Sequence, residues 1–394
     1  MKILKILLMT AVGLAVLAAG CENHMQMKRD EAKARWADSR AEMLTKFAQG
    51  AYARGEMTKA RDQVDEAIRL TPKYAPLYVL AARLALEKGE PDTALTYART
   101  AWEIDAKSAE ALYVLGTAEQ AMGHMEKALA AFAEAAATDP DGDSYVLAQA
   151  EALVAMDRIP EAAEKLQAAV SRMPGRASVH MAYGDLLFMS HEYDQAAGSY
   201  RVARRLDPKR AEAGERLGAA LYYSGSYEEA ESVLCEASES RKDAGPAWMT
   251  RMRAECLMAL GRADQARNLL SPLAKTDTES AETLLGLAKC DVLQKQPQPA
   301  REKLEAALAR QPSHAEANAL LGYLLIEAGR PGEAIPHLQL ALKSPEFPGR
   351  ETVERLLAVA TRRAGAPGKS ELGEAPHPSG GAAMTNPRQG PEAH

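Results

Sequence analysis

The sequence predicts an all-α protein, a right-handed α-solenoid superhelix of nine helix-turn-helix repeats with a C-terminal capping helix. Three observations support this prediction. Small and bulky residues recur at a spacing of 34 residues, apolar residues follow helical periodicity within each unit, and glycine or proline marks the turns. A fixed period of this length indicates one supersecondary unit stacked many times rather than a single folded-back core.

The period is clearest in alanine, which recurs nine times at one place of the unit. The step is 34 residues throughout except for one step of 36, and the alanines are Ala60, Ala94, Ala128, Ala162, Ala196, Ala230, Ala266, Ala300 and Ala334. Twelve residues before each alanine lies another Ala or Gly, and four residues after it lies a bulky apolar residue in eight of nine units. Because small residues let helix backbones approach and bulky ones fill the gap, each unit should contain two closely packed helices.

The turn between the two helices also has a signature. Six units carry glycine at this place, which suits a left-handed C-cap where a side chain would clash. Pro91, Pro160 and Pro331 follow the turn directly, where a first-turn proline forfeits no helical hydrogen bond. Each unit is therefore predicted as helix, short turn, helix.

Small residue, turn glycine, alanine, bulky apolar residue, alanine and proline in this order resemble the tetratricopeptide repeat. Nine repeats are recognised within 41–348, at 41–74, 75–108, 109–142, 143–176, 177–210, 211–246, 247–280, 281–314 and 315–348. The resemblance implies a protein-binding scaffold and says little about its partner, because the same fold serves many functions.

The pattern is interrupted in one region and changes after the last repeat. A two-residue excess near 242–246 and Pro272 inside a second helix predict a local kink within 230–275. Residues 349–364 have one apolar and one charged side, which predicts the capping helix that a repeat array needs. Residues 365–394 hold five Pro and six Gly and are predicted to be a disordered tail.

The first twenty residues have the layout of a secretory signal peptide. Lys2 and Lys5 precede an uncharged apolar run at 6–19. This run is too short to span a bilayer comfortably as a helix. We therefore interpret residues 1–20 as a signal that is removed from the mature chain.

Residues 17–21, Leu-Ala-Ala-Gly-Cys, resemble the bacterial lipobox. The resemblance implies a mature chain that starts at Cys21, with a diacylglycerol on its sulfur and an acyl chain such as palmitate on its amine. Several acyl chains anchor a protein durably, since each buried CH₂ contributes about 0.8 kcal/mol. The alternative is an ordinary signal peptide whose cleavage site happens to precede a cysteine.

The residues after Cys21 bear on the choice of membrane. In Gram-negative lipoproteins an Asp at the next position favours the inner membrane, so Glu22 and Asn23 favour the outer membrane, facing the periplasm. Residues 21–40 are the lipidated cysteine and a charged tether, which should become helical toward the first repeat. The expected location is the bacterial cell envelope.

The charge balance disfavours two kinds of partner. The chain has 48 Lys and Arg against 54 Asp and Glu, a net charge of −6, and loss of Lys2 and Lys5 with the signal gives −8. A mildly acidic surface without a basic stripe argues against nucleic acid and against binding anionic lipid by charge. Membrane association is therefore expected through the lipid anchor.

Residues suited to chemistry are sparse. The three cysteines after Cys21 form no CxxC pair, and no histidine lies at metal-ligand spacing from them. Cys256 and Cys290 occupy the same place in consecutive repeats, which predicts small core residues. Cys235 and Cys256 lie on helices expected to be neighbours, so a disulfide between them stays open.

Enzyme motifs are also missing from the sequence. It contains no HExxH, G-x-S-x-G, P-loop or dinucleotide fingerprint. The repeats and cap occupy residues 41–363 and leave no room for a catalytic domain. We expect a non-catalytic protein with no cofactor, no metal and no small-molecule substrate.

The inner surface of the array is the remaining candidate for function. In tetratricopeptide arrays the first helix of each repeat lines the concave face, through its second, fifth, ninth, twelfth and thirteenth places. In the middle of the array these places give Leu147, Glu151, Met181, Asp185, Met189, Tyr223, Arg251 and Glu255. Phe188 and Tyr222 share such places, although packing between repeats explains them equally well. Methionine and aromatic residues beside acids suit a partly apolar, basic-flanked protein segment.

Two classes of function follow from the resemblances. The first is a scaffold for an envelope machine, such as a pilus, a secretion system or an exopolysaccharide exporter. The second is a regulatory adaptor that docks periplasmic proteases or cell-wall hydrolases onto substrates. A role in outer-membrane protein insertion is a weaker third. The carboxylate clamp of chaperone-tail receptors is absent, since Val79 and Arg83 stand where it needs Lys and Asn.

Overall fold

The computed structural model describes residues 2–241, 245–276 and 280–365, with side chains from residue 27 onward except at position 30. Nineteen α-helices and no strand occur in these residues. The helices are α1 Lys2–Ala53, α2 Met57–Leu70, α3 Ala75–Glu87, α4 Pro91–Ile104, α5 Ala109–Ala121, α6 Met125–Thr138, α7 Asp143–Ala155, α8 Ile159–Arg172, α9 Ala177–Met189, α10 Tyr193–Leu206, α11 Ala211–Ser224, α12 Tyr227–Glu239, α13 Ala247–Ala259, α14 Ala263–Thr276, α15 Ala281–Leu293, α16 Pro297–Arg310, α17 Ala315–Glu327, α18 Pro331–Ala341 and α19 Arg350–Gly365. The predicted α-solenoid of helix-turn-helix repeats is confirmed.

The chain divides into two compact units, Met1–Leu166 and Gln167–His394. In the first unit, α5 and α6 show how a helix pair packs. A Cβ added to Gly116 of α5 would lie 2.5 Å from the Phe132 ring of α6. The glycine therefore gives the ring its space, as the recurrence of small and bulky residues predicts.

The second unit repeats this arrangement at several pairs. A Cβ on Gly184 would lie 2.6 Å from Tyr200, and one on Gly322 would lie 2.6 Å from Leu338. Tyr200 and Leu338 are themselves buried. The prediction that small and bulky places face each other across the two helices is confirmed for these pairs.

The turn inside each repeat takes a left-handed backbone. Six repeats have glycine there with φ between 70° and 87°. Asp157, His191 and Lys295 occupy the corresponding place at three further turns, with φ of 59°, 61° and 58°. These three side chains adopt a conformation that costs an L-residue about 1–2 kcal/mol.

The predicted N-terminal segments lie within α1. The backbone is helical from Lys2 through the predicted signal and tether to Ala53, whereas the Cys21 side chain lies outside the described residues. Within the described part of the chain, no helix combines the length and the apolar character needed to cross a membrane. Signal cleavage and lipidation stay predictions.

The region of the predicted kink is only partly described. α14 continues past Pro272 to Thr276, and the Ser271 hydroxyl donates to the Arg267 carbonyl at 2.7 Å. The insertion near 242–246 includes residues 242–244, which lie outside the described residues, so the kink stays a prediction. The predicted tail lies outside them from residue 366 onward.

The last helix covers the end of the second unit. Val353, Leu356 and Ala360 of α19 are buried in one core cluster with Leu338 of α18. Its other side carries exposed charged residues, including Glu351 and Arg355. α19 therefore buries apolar residues on one side and presents charge on the other.

Candidate protein-binding site

Two of the predicted binding residues belong to α7 in the first unit. Leu147 is half-buried and Glu151 is exposed. The neighbouring positions Val146 and Ala150 are buried in the core. α7 therefore presents a short mixed surface at the predicted places.

In the second unit, α9 places its three predicted residues differently. Met181 is only 3% exposed and belongs to a core cluster with Leu187 and Leu217. Met189, at the end of the helix, is 47% exposed. Met181 is therefore a core residue, because apolar side chains of α9 and α11 surround this place, and Met189 offers free surface.

Asp185 of α9 is held by two neighbouring helices. The Tyr200 hydroxyl of α10 donates to its Oδ1 at 2.7 Å, and Arg216 of α11 forms an ion pair with the same oxygen. Arg216 also pairs with Glu212 at 2.6 Å. Burial, and then Asp185, raise the pKa of the Tyr200 hydroxyl. Asp185 therefore links three helices through its Oδ1.

Five rings of α9 to α12 form what we call the aromatic cluster: Phe188, Tyr193, Tyr222, Tyr223 and Tyr227. Tyr223 stacks on Tyr193 with 5.2 Å between ring centroids and meets Phe188 edge-on with 5.4 Å between centroids. The centroid of the Tyr222 ring lies 5.2 Å from that of Tyr223 and 5.9 Å from that of Tyr227. Such ring pairs each contribute about 0.5–1.5 kcal/mol beyond their burial, so the cluster is preorganised.

The cluster is half open to solvent. Tyr193 is buried, whereas Phe188, Tyr222, Tyr223 and Tyr227 are half-buried. Burial raises the pKa of the Tyr222, Tyr223 and Tyr227 hydroxyls. At neutral pH these hydroxyls are therefore protonated donors at the edge of an apolar surface.

Three charged residues on α13, α15 and α17 form what we call the charged triad: Glu255, Lys289 and Glu316. The Lys289 Nζ lies 2.9 Å from Glu255 Oε1 and 2.7 Å from Glu316 Oε1. Burial opposes the charge on Lys289, but the two carboxylates outweigh it and raise the lysine pKa. Burial raises the pKa of the Glu316 carboxyl, which shares its one cation with Glu255.

A cavity of about 160 Å³ adjoins the triad. Arg251 of α13, Glu282 of α15 and His314 line it together with the triad. The Ser280 hydroxyl donates to Glu282 at 3.0 Å. The predicted residues Arg251 and Glu255 are thus brought together at a polar cavity, and Tyr222 is near enough for Glu255 to influence its hydroxyl.

Other buried charges hold helices together away from this surface. Asp291 of α15 is fully buried and pairs with Arg267 of α14 and Lys303 of α16, each at 2.5 Å. Glu119 of α5 pairs with Arg99 at 3.1 Å and meets His124 Nδ1 at 2.7 Å. Within the described residues, no group of three or more His, Cys, Asp or Glu side chains is arranged to hold a metal ion.

The cysteines of the repeats are free thiols in the structure. Cys256 and Cys290 are buried, which confirms that they are small core residues. Burial raises the pKa of both thiols to about 12, which leaves them protonated and unreactive. Cys235 is half-buried and donates to Glu239 at 3.5 Å, so it forms no disulfide with Cys256 here.

Some residues of this surface were not among the predicted ones. Lys289 and Glu316 occupy the ninth and second places of later repeats, and the mapping that gave Glu255 extends to them directly. Tyr193 opens a second helix and so escapes a mapping of first helices. The sequence feature that could have identified it is the tyrosine one repeat later, Tyr227, 34 residues further along the chain.

Solved structures similar to this chain cover different parts of it. YrrB, described as a tetratricopeptide protein with an unusual peptide-binding site, is 23% identical over 46% of this chain and 93% of its own, with a TM-score of 0.36. pilF of Pseudomonas aeruginosa is 16% identical over 63% and 96%, with a TM-score of 0.41. The Cut9–Hcn1 hetero-tetramer is 17% identical over 77% and 59%, with a TM-score of 0.46.

Family models match most of the repeat region. One tetratricopeptide repeat model matches residues 147–211, 190–247 and 294–351, and a second matches 85–152 and 221–290. Together these matches cover more than half of the chain. Tetratricopeptide repeats generally act as scaffolds for protein–protein interaction. The chain belongs to the tetratricopeptide repeat family.

Proposed function

We propose that this protein is a non-catalytic protein-binding scaffold, lipid-anchored at Cys21, that supports assembly of an envelope machine. The machine would be a pilus, a secretion system or an exopolysaccharide exporter on the periplasmic side of the outer membrane. The aromatic cluster, with Met189 exposed beside it, is the observation that carries the binding role. It provides preorganised rings that are half open to solvent on the first and second helices of two repeats.

Aromatic side chains suit this role for energetic reasons. A few buried aromatic anchors supply most of the binding energy in protein interfaces. Rings that already contact one another lose little freedom when a partner covers them, which lowers the cost of association. The tyrosine hydroxyls add hydrogen-bond donors, so a partner with apolar side chains and backbone carbonyls fits best.

The anchor supports the location. Residues 17–21 carry the lipobox resemblance, and α1 continues from there into the first repeat. A helix from Cys21 to Ala53 would be about 50 Å long at 1.5 Å per residue. Such a helix would hold the repeats away from the lipid headgroups, where they could reach a machine in the periplasm.

The proposal is tested by affinity capture from crosslinked membranes, with wild type compared with Cys21→Ser. We expect subunits of a pilus, a secretin complex or a polysaccharide exporter with wild type and their loss with the unanchored variant. Soluble proteases or cell-wall hydrolases, captured equally by both, would contradict the assembly role and favour the regulatory adaptor.

The binding surface is tested with the double variant Met189→Ala, Tyr223→Ala. We expect about a hundredfold weaker capture, because two anchors are truncated, with an unchanged helical circular dichroism signal. Leu206→Ala is the matched control, since Leu206 is an exposed apolar residue of α10 outside the cluster. Equal capture by the double variant and the control would remove this surface as the binding site.

A further inference from the structure

The cavity beside the charged triad contains a buried carboxylate oxygen that shares its cation with a second carboxylate. Glu316 Oε1 is buried and pairs with Lys289 Nζ at 2.7 Å, in an alignment that falls short of a good hydrogen bond. Lys289 also donates to Glu255 at 2.9 Å. A buried carboxylate oxygen that is only partly satisfied is costly, so a ligand that donates to it would be stabilised.

The carboxylates that line the cavity outnumber its Lys and Arg side chains by one. Lys289 can neutralise only one of its two carboxylates, so the triad carries a net charge of −1 when both are ionised. Burial raises the pKa of the Glu316 carboxyl, and a bound cation would favour its ionised form. Arg251 and Glu282 line the same cavity with opposite charges. Burial opposes ionisation of Glu282, but hydrogen bonds from its own backbone and Ser280, with His314 and Arg251 nearby, lower its pKa overall. With both triad carboxylates ionised, the cavity is complementary to one cation.

A glycine in the eighth repeat leaves space for this cavity. Gly286 lines it and occupies the sixth place, where the two preceding repeats have Arg216 and Met252 and the following one has Leu320. A Cβ at Gly286 would lie 2.9 Å from Leu270, another lining residue. A volume of about 160 Å³ corresponds to several water molecules at about 30 Å³ each, enough for a guanidinium or ammonium group and part of its stem.

We propose that this cavity binds a basic side chain, arginine or lysine, of the protein segment that lies on the aromatic cluster. The cation donates to Glu316 Oε1 and balances the triad, while the apolar part of the segment covers Tyr222 and Tyr223. Arginine fits better than lysine, because its planar group donates several hydrogen bonds at once. The identity of the segment rests on the proposed binding function, whereas the cavity can be tested without any partner.

The first test uses N-acetyl-arginine amide as the probe and N-acetyl-citrulline amide as its neutral counterpart. Chemical shifts of residues lining the cavity are followed by NMR during titration of the full chain without its signal peptide. We expect saturable shifts with the arginine probe and binding at least tenfold weaker with citrulline. Equal binding of the two probes, or tighter binding of N-acetyl-glutamate amide, would overturn the proposal.

Two variants, Glu316→Gln and Glu255→Gln, each replace one triad carboxyl by an amide of the same shape that cannot ionise. Each should weaken binding of the arginine probe about tenfold, because the remaining carboxylate is already neutralised by Lys289. Glu327→Gln is the matched control, since Glu327 is an exposed carboxylate on the same helix as Glu316. Unchanged affinity in both triad variants, with native circular dichroism, would overturn the proposal.

The same variants separate this inference from the proposed function. If a partner is captured and Glu316→Gln leaves its affinity unchanged, the scaffold stands and the cavity is not its basic-residue site. If the arginine probe binds as expected but the Met189→Ala, Tyr223→Ala variant captures partners normally, the cavity stands and the aromatic cluster is not the docking surface.

Discussion

The second and the eighth repeats place a cation at the same position and surround it differently. Arg83 of α3 pairs with Glu110 of α5 at 2.8 Å, and Lys289 of α15 pairs with Glu316 of α17 at 2.7 Å. In both pairs the carboxylate follows 27 residues after the cation. Arg83 and Glu110 are 37% and 52% exposed, whereas Lys289 and Glu316 are 17% and 14% exposed.

One spacing therefore produces two kinds of ion pair. Water screens the exposed pair, and such pairs contribute at most about 1 kcal/mol. In the less exposed pair, burial raises the pKa of Glu316, and the neighbouring carboxylates raise the pKa of Lys289 against the effect of burial. Losing one partner of such a pair leaves a charge uncompensated. The repeat spacing determines which residues form the ion pair, and burial determines how much that pair contributes to stability.

The largest expected effect is the removal of the buried cation. Lys289→Met should lower the free energy of unfolding by about 3 kcal/mol, because two half-buried carboxyls would then share one site without a cation. Arg83→Met, the matched change in the exposed pair, should cost less than about 1 kcal/mol. Urea unfolding of both variants measures the difference, and equal losses would show that burial does not distinguish the pairs.

A second matched place is the small residue of the first helix. Gly322 faces Leu338 in the ninth repeat, where a Cβ would lie 2.6 Å from the leucine, whereas the second repeat has Ala82 and Ala98. Gly322→Ala should therefore cost about 2 kcal/mol through overpacking.

A double-mutant cycle checks this explanation. Gly322→Ala introduced together with Leu338→Ala recreates the alanine pair of the second repeat, so the added methyl should then cost almost nothing. An equal cost of Gly322→Ala in both backgrounds would point to a cause other than contact with Leu338.

A smaller effect is expected at the turn. Gly89 of the second repeat has φ of 74°, and Lys295 holds the same place in the eighth with φ of 58°. Lys295→Gly should stabilise the chain by about 1 kcal/mol, because glycine adopts this conformation without steric cost. Gly89→Lys should lose a similar amount. Thermal unfolding that moves in the same direction for both would contradict the explanation.

The smallest expected effect is the pH dependence of stability that the carboxyls of Glu316 and Glu119 contribute. The raised pKa of Glu316 means that wild type loses stability relative to Glu316→Gln as pH rises from 4.5 toward the folded pKa. For Glu119 burial opposes ionisation, but His124 and Arg99 lower the pKa overall. Stability from Glu119 is therefore present above pH 4.5 and lost as pH falls through the folded pKa. Urea unfolding between pH 3 and pH 8 measures the difference in unfolding free energy between wild type and each variant. This difference should fall with pH for Glu316→Gln and rise with pH for Glu119→Gln. Slopes of the same sign would contradict this.

The fold was predictable because the repeat signals are local and redundant. Gly116 and Phe132 show the logic, since a missing side chain on one helix and a ring on the next recur with one period. The turn at Lys295 shows its limit. Neither helical periodicity nor glycine marks this place, and only the register of the repeats predicts that a lysine adopts a left-handed backbone there.

The candidate site was predictable in part. The mapping of places found Tyr223 at the aromatic cluster and Arg251 and Glu255 at the cavity. It also found Met189, which is exposed and follows Phe188 in the chain. It misplaced Met181, because a fifth place can point into the core when neighbouring apolar side chains close over it. A position in the repeat predicts only on average whether a side chain points to the surface. Whether that side chain is buried also depends on the residues of the neighbouring helices.

The helices of each unit pack mainly against the helices one or two places away in the chain. Most contacts therefore close short loops of chain, which favours fast folding and lets one repeat open without the whole array. Such a chain also confines the effect of a change to its immediate neighbours. The surface residues of one repeat can thus diverge during evolution, and acquire a new partner, while distant repeats keep their packing.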